Sequence, residues 1–126
     1  MKEISLGKIG QISVNAHDLE RATAFYKDKL GMKHLFSVPP KMAFFDCDGI
    51  RLMLGIPERP DPDHPSSILY FKVDDIDATY ETLSGRGVHF ETKPMLIAPM
   101  QTYDLWLVEF RDSENNVLAL MCEKAK

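Results

Sequence analysis

Cysteine is scarce in this 126-residue sequence, with only Cys47 and Cys122. Two thiols make no disulfide framework, and both read as reduced. No apolar run approaches the ~18 residues that a membrane-spanning helix requires. The opening Met1-Lys2-Glu3-Ile4-Ser5-Leu6-Gly7-Lys8 lacks the apolar stretch of a secretory signal. Basic clusters are missing as well: 15 Lys and Arg face 19 Asp and Glu, a net charge of −4, without the footprint of a nucleic-acid binder. These absences predict a cytoplasmic protein with no membrane and no nucleic-acid partner. With 7 Gly, 8 Pro and 44% hydrophobic residues, the composition is that of a globular chain, not a collagen-like or disordered one. A domain of this size buries about two-thirds of its unfolded surface, enough for a core without disulfides or structural metal.

What is present is an internal repeat. At an offset of 57, Asp18-Leu19-Glu20 falls on Asp75-Ile76-Asp77 and Val14 on Phe71. Later the offset becomes 66, with Asp46-Cys47-Asp48-Gly49 on Asp112-Ser113-Glu114-Asn115, and Leu52 and Leu54 on Leu118 and Leu120. Each half reads as strand, helix, then three strands. Residues 11–16 alternate with a period of two. Asp18 then caps a helix whose Leu19, Ala22, Tyr26 and Leu30 recur at helical spacing until Gly31 stops it. In the second half 68–73 reads as a strand. Ile76, Tyr80 and Leu83 line one helix face before Gly85 and Gly87. The remaining strands are expected near 33–38, 42–46 and 51–56, and near 88–92, 103–111 and 117–123. Four prolines in 57–65 exclude helix and central strand there. The sequence thus predicts one α+β domain over 1–126: a module at about 9–56, a linker at 57–65, and a module at about 66–123.

Two tandem βαβββ modules resemble the vicinal oxygen chelate superfamily of glyoxalases, bleomycin-resistance proteins and extradiol dioxygenases. The stretch from Asp18 to Met32, with its Phe25-Tyr26 pair and Leu30-Gly31-Met32 ending, is similar to that family's first helix. The run from Phe110 to Leu120 is similar to its last turn and strand, with Ser113, Glu114 and Asn115 where the family usually has Pro, Asp and Gly. Asn tolerates the left-handed conformation such a turn needs. The resemblance implies a glyoxalase-like half-barrel, a ligand site in the cup of the sheet, and a homodimer.

It also implies where a metal would sit, because family enzymes usually place His, Glu or Gln at four strand positions. Here those positions are Gln11, Met53, Ile68 and Ala119. An amide oxygen can ligate, a thioether suits soft ions, and the other two side chains cannot coordinate. No metal and no cofactor are therefore expected. His17, His34, His64 and His89 lack the i, i+4 spacing of a zinc motif, and each reads as structural or exposed. His89-Phe90-Glu91 lacks the Pro-Cys-x-x-Cys of a zinc deaminase, and Asp46-Cys47-Asp48-Gly49 reads as a hairpin turn, not a calcium loop. Nucleophile-elbow, P-loop and dinucleotide motifs are absent. Of the carboxylates on the strand of Trp106, Glu109 and Asp104 lie on opposite faces, and alternation does not say which faces the cup.

Alternation sends Ile12, Val14, Leu52, Leu54, Leu69, Phe71, Leu118 and Leu120 toward the helices. It sends Gln11, Ser13, Asn15, Arg51, Met53, Ile68, Tyr70, Lys72, Ala119 and Met121 to the cup. A mixed face of this kind suits a ligand pocket. Tyr70, Phe44, Met53, Met121 and either Trp106 or Tyr103 are expected to pack on a flat ligand. Gln11, Asn15, Arg51 and Lys72 are expected to orient it, the two cations favouring an anionic or carbonyl-rich molecule. Ser13 and Trp106 are also expected among the ligand-binding residues. The resulting expectation is a metal-free small-molecule binding protein. The alternative is a metal-dependent lyase, isomerase or dioxygenase with displaced ligands, and no catalytic residue is assigned.

Overall fold

The computed structural model describes residues 4–57 and 66–126, so the proline-rich linker lies outside the described residues except for Pro57. Strand β1 (Gln11–Asn15) leads to helix α1 (Leu19–Ala24), whose first turn is capped by the Asp18 carboxylate accepting the Arg21 N–H at 3.0 Å. The periodicity predicts one α-helix to Leu30. Instead the hydrogen bonding widens after Ala24 into a π-helical stretch, Phe25–Lys29, in which the Leu30 N–H reaches the Phe25 carbonyl at 3.1 Å. In the wider turn the neighbours Phe25 and Tyr26 are both buried. Gly31, at φ +73°, ends the segment as the Met32 N–H bonds back to the Tyr26 carbonyl.

Strands β2 (Lys33–Val38), β3 (Met42–Cys47) and β4 (Ile50–Gly55) complete the first sheet, in the order β1-β4-β3-β2. β3 and β4 are joined by the two-residue hairpin turn expected at Asp48-Gly49. Both residues have positive φ (51° and 93°), and Asp46 Oδ1 accepts the Gly49 N–H.

The second half repeats the plan: β5 (Leu69–Lys72), α2 (Ile76–Gly85) capped by Asp75, β6 (His89–Phe90), β7 (Met95–Pro99), β8 (Tyr103–Arg111) and β9 (Val117–Ala125). One strand was expected near 88–92. The structure keeps only His89–Phe90 of it, as β6, and adds a strand that was not expected, β7, both paired with the nine-residue β8. Between them, Pro94 has no N–H to give a ladder, which favours the interruption. The sheet order β5-β9-β8-β6 matches that of the first sheet.

The repeat holds to the register. Ser13 opposes Met53 and Tyr70 opposes Ala119, and Val14–Leu54 and Phe71–Leu120 follow suit, as offsets of 57 and 66 require. The apolar faces of both sheets meet the helices in one cluster that includes Val14, Tyr26, Phe45, Leu52, Leu54, Ile76, Phe110 and Leu118. No helix among the described residues is long and apolar enough to cross a membrane.

Polar groups stitch the halves together at the β8–β9 turn. The buried Asp112 carboxylate accepts the Tyr26 hydroxyl at 2.7 Å, together with the amides of Glu114 and Asn116 and the Asn116 Nδ2 at 2.8 Å. Burial, together with the Asp112 charge and hydrogen bond, pushes the Tyr26 phenol far above its ordinary pKa. Glu114, its side chain only 1% exposed, accepts the His17 and Asp18 amides, a two-pronged contact from Arg21 (2.7 and 3.1 Å) and the Ser113 hydroxyl. Burial alone would favour its neutral acid. The Arg21, Asp18, His17 and Ser113 donors outweigh that and lower its pKa to about 2.

Candidate functional site

With one face of each sheet covered by helices, the opposite face carries the remaining side chains, and register sorts them into rows. On the first sheet one row reads Gln11–Arg51–Asp46–Lys33, and the next reads Ser13–Met53–Phe44–Phe36. A third, Asn15–Gly55–Met42–Val38, has no side chain at its centre. A Cβ added at Gly55 would meet Met53 Cε at 3.5 Å. Its absence leaves a notch of about 240 Å³ among Ser13, Asn15, Lys41, Met42 and Met53. A second cleft of about 450 Å³ opens beside Gln11, Leu35, Asp46 and Arg51. Gln11 Nε2 lies 3.9 Å from Met53 Sδ, so the two clefts flank a polar–thioether contact.

Five of the expected binding residues, Gln11, Ser13, Asn15, Arg51 and Met53, are thus brought together on one open face. Tyr70, Lys72 and Met121 gather on the other sheet, where Tyr70 opposes Ala119 and Lys72 opposes Met121. Trp106 departs from the expectation. It pairs with Cys122, whose side chain is buried under the helices, and packs against the core with Lys124 Nζ 4.2 Å from its ring centroid. Alternation along β8 therefore removes it from the open face. It places Glu109 there instead, opposite Ala119 and exposed, and sends Asp104 to the side of Trp106 with Lys126 Nζ at 3.5 Å. With Glu109 open to solvent and Asp104 facing a lysine, neither is the buried carboxylate that acid–base work would ask for.

At the four positions where the resemblance implies metal ligands, the donor set does not fit a hard or borderline ion. Gln11 supplies one amide oxygen, Met53 a thioether, and Ile68 and Ala119 only hydrocarbon. Among the described residues no three His, Cys, Asp or Glu gather to form another such site. His34 packs edge-on to Phe45 and shares a 2.8 Å hydrogen bond with Ser37; His17 and His89 are exposed, and His64 lies outside the described residues. The Cys122 thiol is buried and lies 3.4 Å from the Asp74 carbonyl. Partial burial and the flanking Asp46 and Asp48 push the Cys47 thiol pKa up, away from nucleophilic use.

Sequence reasoning missed a larger cleft of about 790 Å³, between the outer side of α1 and the β2–β3 turn, near Leu19, Lys27, Pro39, Pro40 and Ile56. It contains none of the expected residues. One of its carboxylates, Asp18, is already committed to capping α1. Sequence reasoning named Phe44 but missed Phe36, its stacking partner beside Arg51. Phe36 and Phe44 stack with centroids 4.5 Å apart, and their apolar character at alternate strand positions was the available signal.

Comparison with known proteins bears on the whole chain. The family model described as the Glyoxalase/Bleomycin resistance protein/Dioxygenase superfamily matches residues 8–120. An uncharacterized Bacillus subtilis (strain 168) protein, YraH, is 27% identical over 126 residues, covering 90% of this chain and 96% of that protein. The fold is similar to that of a superfamily member from Sphaerobacter thermophilus DSM 20745, with TM-score 0.77 and 24% identity over 94% of this chain and 98% of that one. It is similar too to a lactoylglutathione lyase from Agrobacterium tumefaciens, with TM-score 0.74 and 22% identity over 93% and 94% of the two chains.

Proposed function

We propose that this chain, which belongs to the glyoxalase/bleomycin resistance protein/dioxygenase superfamily, binds a small molecule on the open face of its sheets without a resident metal ion. The observation that carries this reading is the pair of clefts on either side of the Gln11–Met53 contact, where the family's enzymes would need ligating side chains. A thioether and an amide at van der Waals distance form a surface that an organic ligand can lie against. They do not form a cation site. Arg51, Ser13 and Asn15 supply polar groups around Met53, whose cross-strand neighbour is Phe44, a mixture usual for small-molecule sites.

The protein acts in the cytoplasm as a homodimer. Support for the dimer comes from apolar side chains left exposed along both sheets: Phe36, Val38, Tyr70, Met95, Leu96 and Ile97.

Elemental analysis of dialysed protein, followed by thermal-shift screening of small molecules, tests the binding reading. The expected result is far less than one divalent ion per chain and a ligand whose stabilisation is weakened by Met53→Ala. A near-stoichiometric ion that disappears with Gln11→Ala would overturn it.

A further inference from the structure

Of the cations on the open faces, Arg51 and Lys72 are the two expected to orient a ligand, and the structure treats them differently. Lys72 Nζ lies 3.4 Å from Glu123 Oε1, so its charge is answered within the protein. Arg51 forms no ion pair among the described residues. Its guanidinium carbon instead lies 6.0 Å from the Phe36 centroid and 5.7 Å from that of Phe44, over the stacked pair. A guanidinium is attracted to aromatic rings by cation–π interaction, which does not use up its N–H donors. The ring contacts position the group, and among the described residues no side-chain hydrogen bond or ion pair engages its donors.

The surroundings narrow what those donors take. Asp46 is the cross-strand neighbour of Arg51, yet its Oδ1 is engaged by the Gly49 N–H at 3.1 Å, and in the same row it stands between Arg51 and Lys33. The row Gln11–Arg51–Asp46–Lys33 sums to one positive charge. A single negative charge in a planar fork matches one guanidinium through two parallel N–H···O bonds. A phosphate dianion would bring a second charge up against Asp46. Next to Arg51 in space lies an apolar row, Met53–Phe44–Phe36, which can receive a flat hydrocarbon body.

We infer that Arg51 is the specificity-determining residue of this site and that its ligand is a monocarboxylic acid on a flat apolar or aromatic body. The carboxylate pairs with Arg51 and the body lies over Met53 and Phe44. This inference rests on the binding function proposed above and names the ligand class.

Titration of isotope-labelled protein with 2-naphthoate and, separately, with its neutral analogue 2-naphthamide, followed by amide and arginine Nε–H resonances, tests it. Naphthoate is expected to shift Gln11, Met53 and the Arg51 Nε–H with an affinity at least about tenfold above that of naphthamide, as a charge-assisted pair should give. Arg51→Gln should lower naphthoate to the level of naphthamide and leave naphthamide unchanged. Arg51→Lys, a point charge without the fork, should restore only part of the difference. Preserved dispersion of the remaining resonances identifies folded variants. Equal binding of the two probes, or a naphthoate preference that survives Arg51→Gln, overturns the role of Arg51 alone. Failure of both probes to perturb this face at millimolar concentration overturns the binding site and the inference together.

Discussion

The Tyr26 hydroxyl donates a 2.7 Å hydrogen bond to Oδ2 of Asp112, linking the π-helical turn of the first half to the final turn of the second. Two fully or nearly buried groups, 86 positions apart in the chain, satisfy each other. Replacing tyrosine by phenylalanine keeps the ring and withdraws one donor from a buried carboxylate. Tyr26→Phe should cost about 1–3 kcal/mol in urea unfolding, with an unchanged denaturant dependence. A wild-type midpoint would show that the pair contributes nothing.

Glu114 gives the fold a dependence on acid. Its carboxyl has an ordinary pKa of 4.5 and about 2 in the folded chain, so the folded state binds fewer protons between those values. Its stabilising contribution is complete above about pH 5 and fades as pH falls toward 2. The stability gap between wild type and Glu114→Gln should therefore be constant near neutrality and close across this acidic window. A gap that stays unchanged down to pH 2.5 would contradict the assignment.

Equivalent turn positions in the two halves are filled by different residues, Gly49 at φ 93° and Asn115 at φ 68°. Nothing lies within 4 Å of a Cβ built on Gly49, so the cost of a side chain there is backbone strain alone. Gly49→Ala should destabilise by about 1–2 kcal/mol, the penalty of a left-handed L-residue. Gly49→Asn should cost clearly less, since asparagine already serves in the partner turn. Calorimetric midpoints that rank the two variants the other way would refute this account.

The two thiols should differ sharply in reactivity. With its pKa raised by burial, Asp46 and Asp48, Cys47 is expected to react slowly with a disulfide reagent at pH 7 and to accelerate at alkaline pH. Cys122, buried on β9 with its thiol against the Asp74 carbonyl, should react only as the protein unfolds. Rapid labelling of both at neutral pH would show that this corner is open.

How much of this was legible in the sequence depended on the physical range of each signal. Alternation and capping are local, so β1, the Asp18 cap and the Asp48-Gly49 hairpin are where the residues said they would be. The repeat extended that reach. Offsets read from Asp18 and Leu54 reproduce the strand register of both halves. The same local rules failed where a competing interaction decides. Periodicity has no term for the widened turn at Phe25–Lys29, and the alternation of 88–92 says nothing of a ladder that breaks and resumes at Met95. On β8, alternation paired Trp106 with Asp104 but carried no absolute sign. Only pairing with Cys122 supplied it and took Trp106 off the open face. Glu114 read as an ordinary turn residue because its donors, His17, Asp18 and Arg21, come from the far end of the chain.

That distance has a consequence for how the protein is made. Asn116 Nδ2 reaches the Asn15 carbonyl across 101 positions, and the Arg21–Glu114 contact spans 93. During synthesis the first βαβββ unit leaves the ribosome with the amides at the start of its helix still lacking their acceptor, and with a place for Asp112 beside Tyr26 still empty. Neither is filled until the final turn has been translated. Contacts of such long sequence separation form late and slowly. The first half is therefore completed only once residues 112–116 have been translated, and a nascent chain stalled before residue 112 exposes a half-finished core to the cell's chaperones.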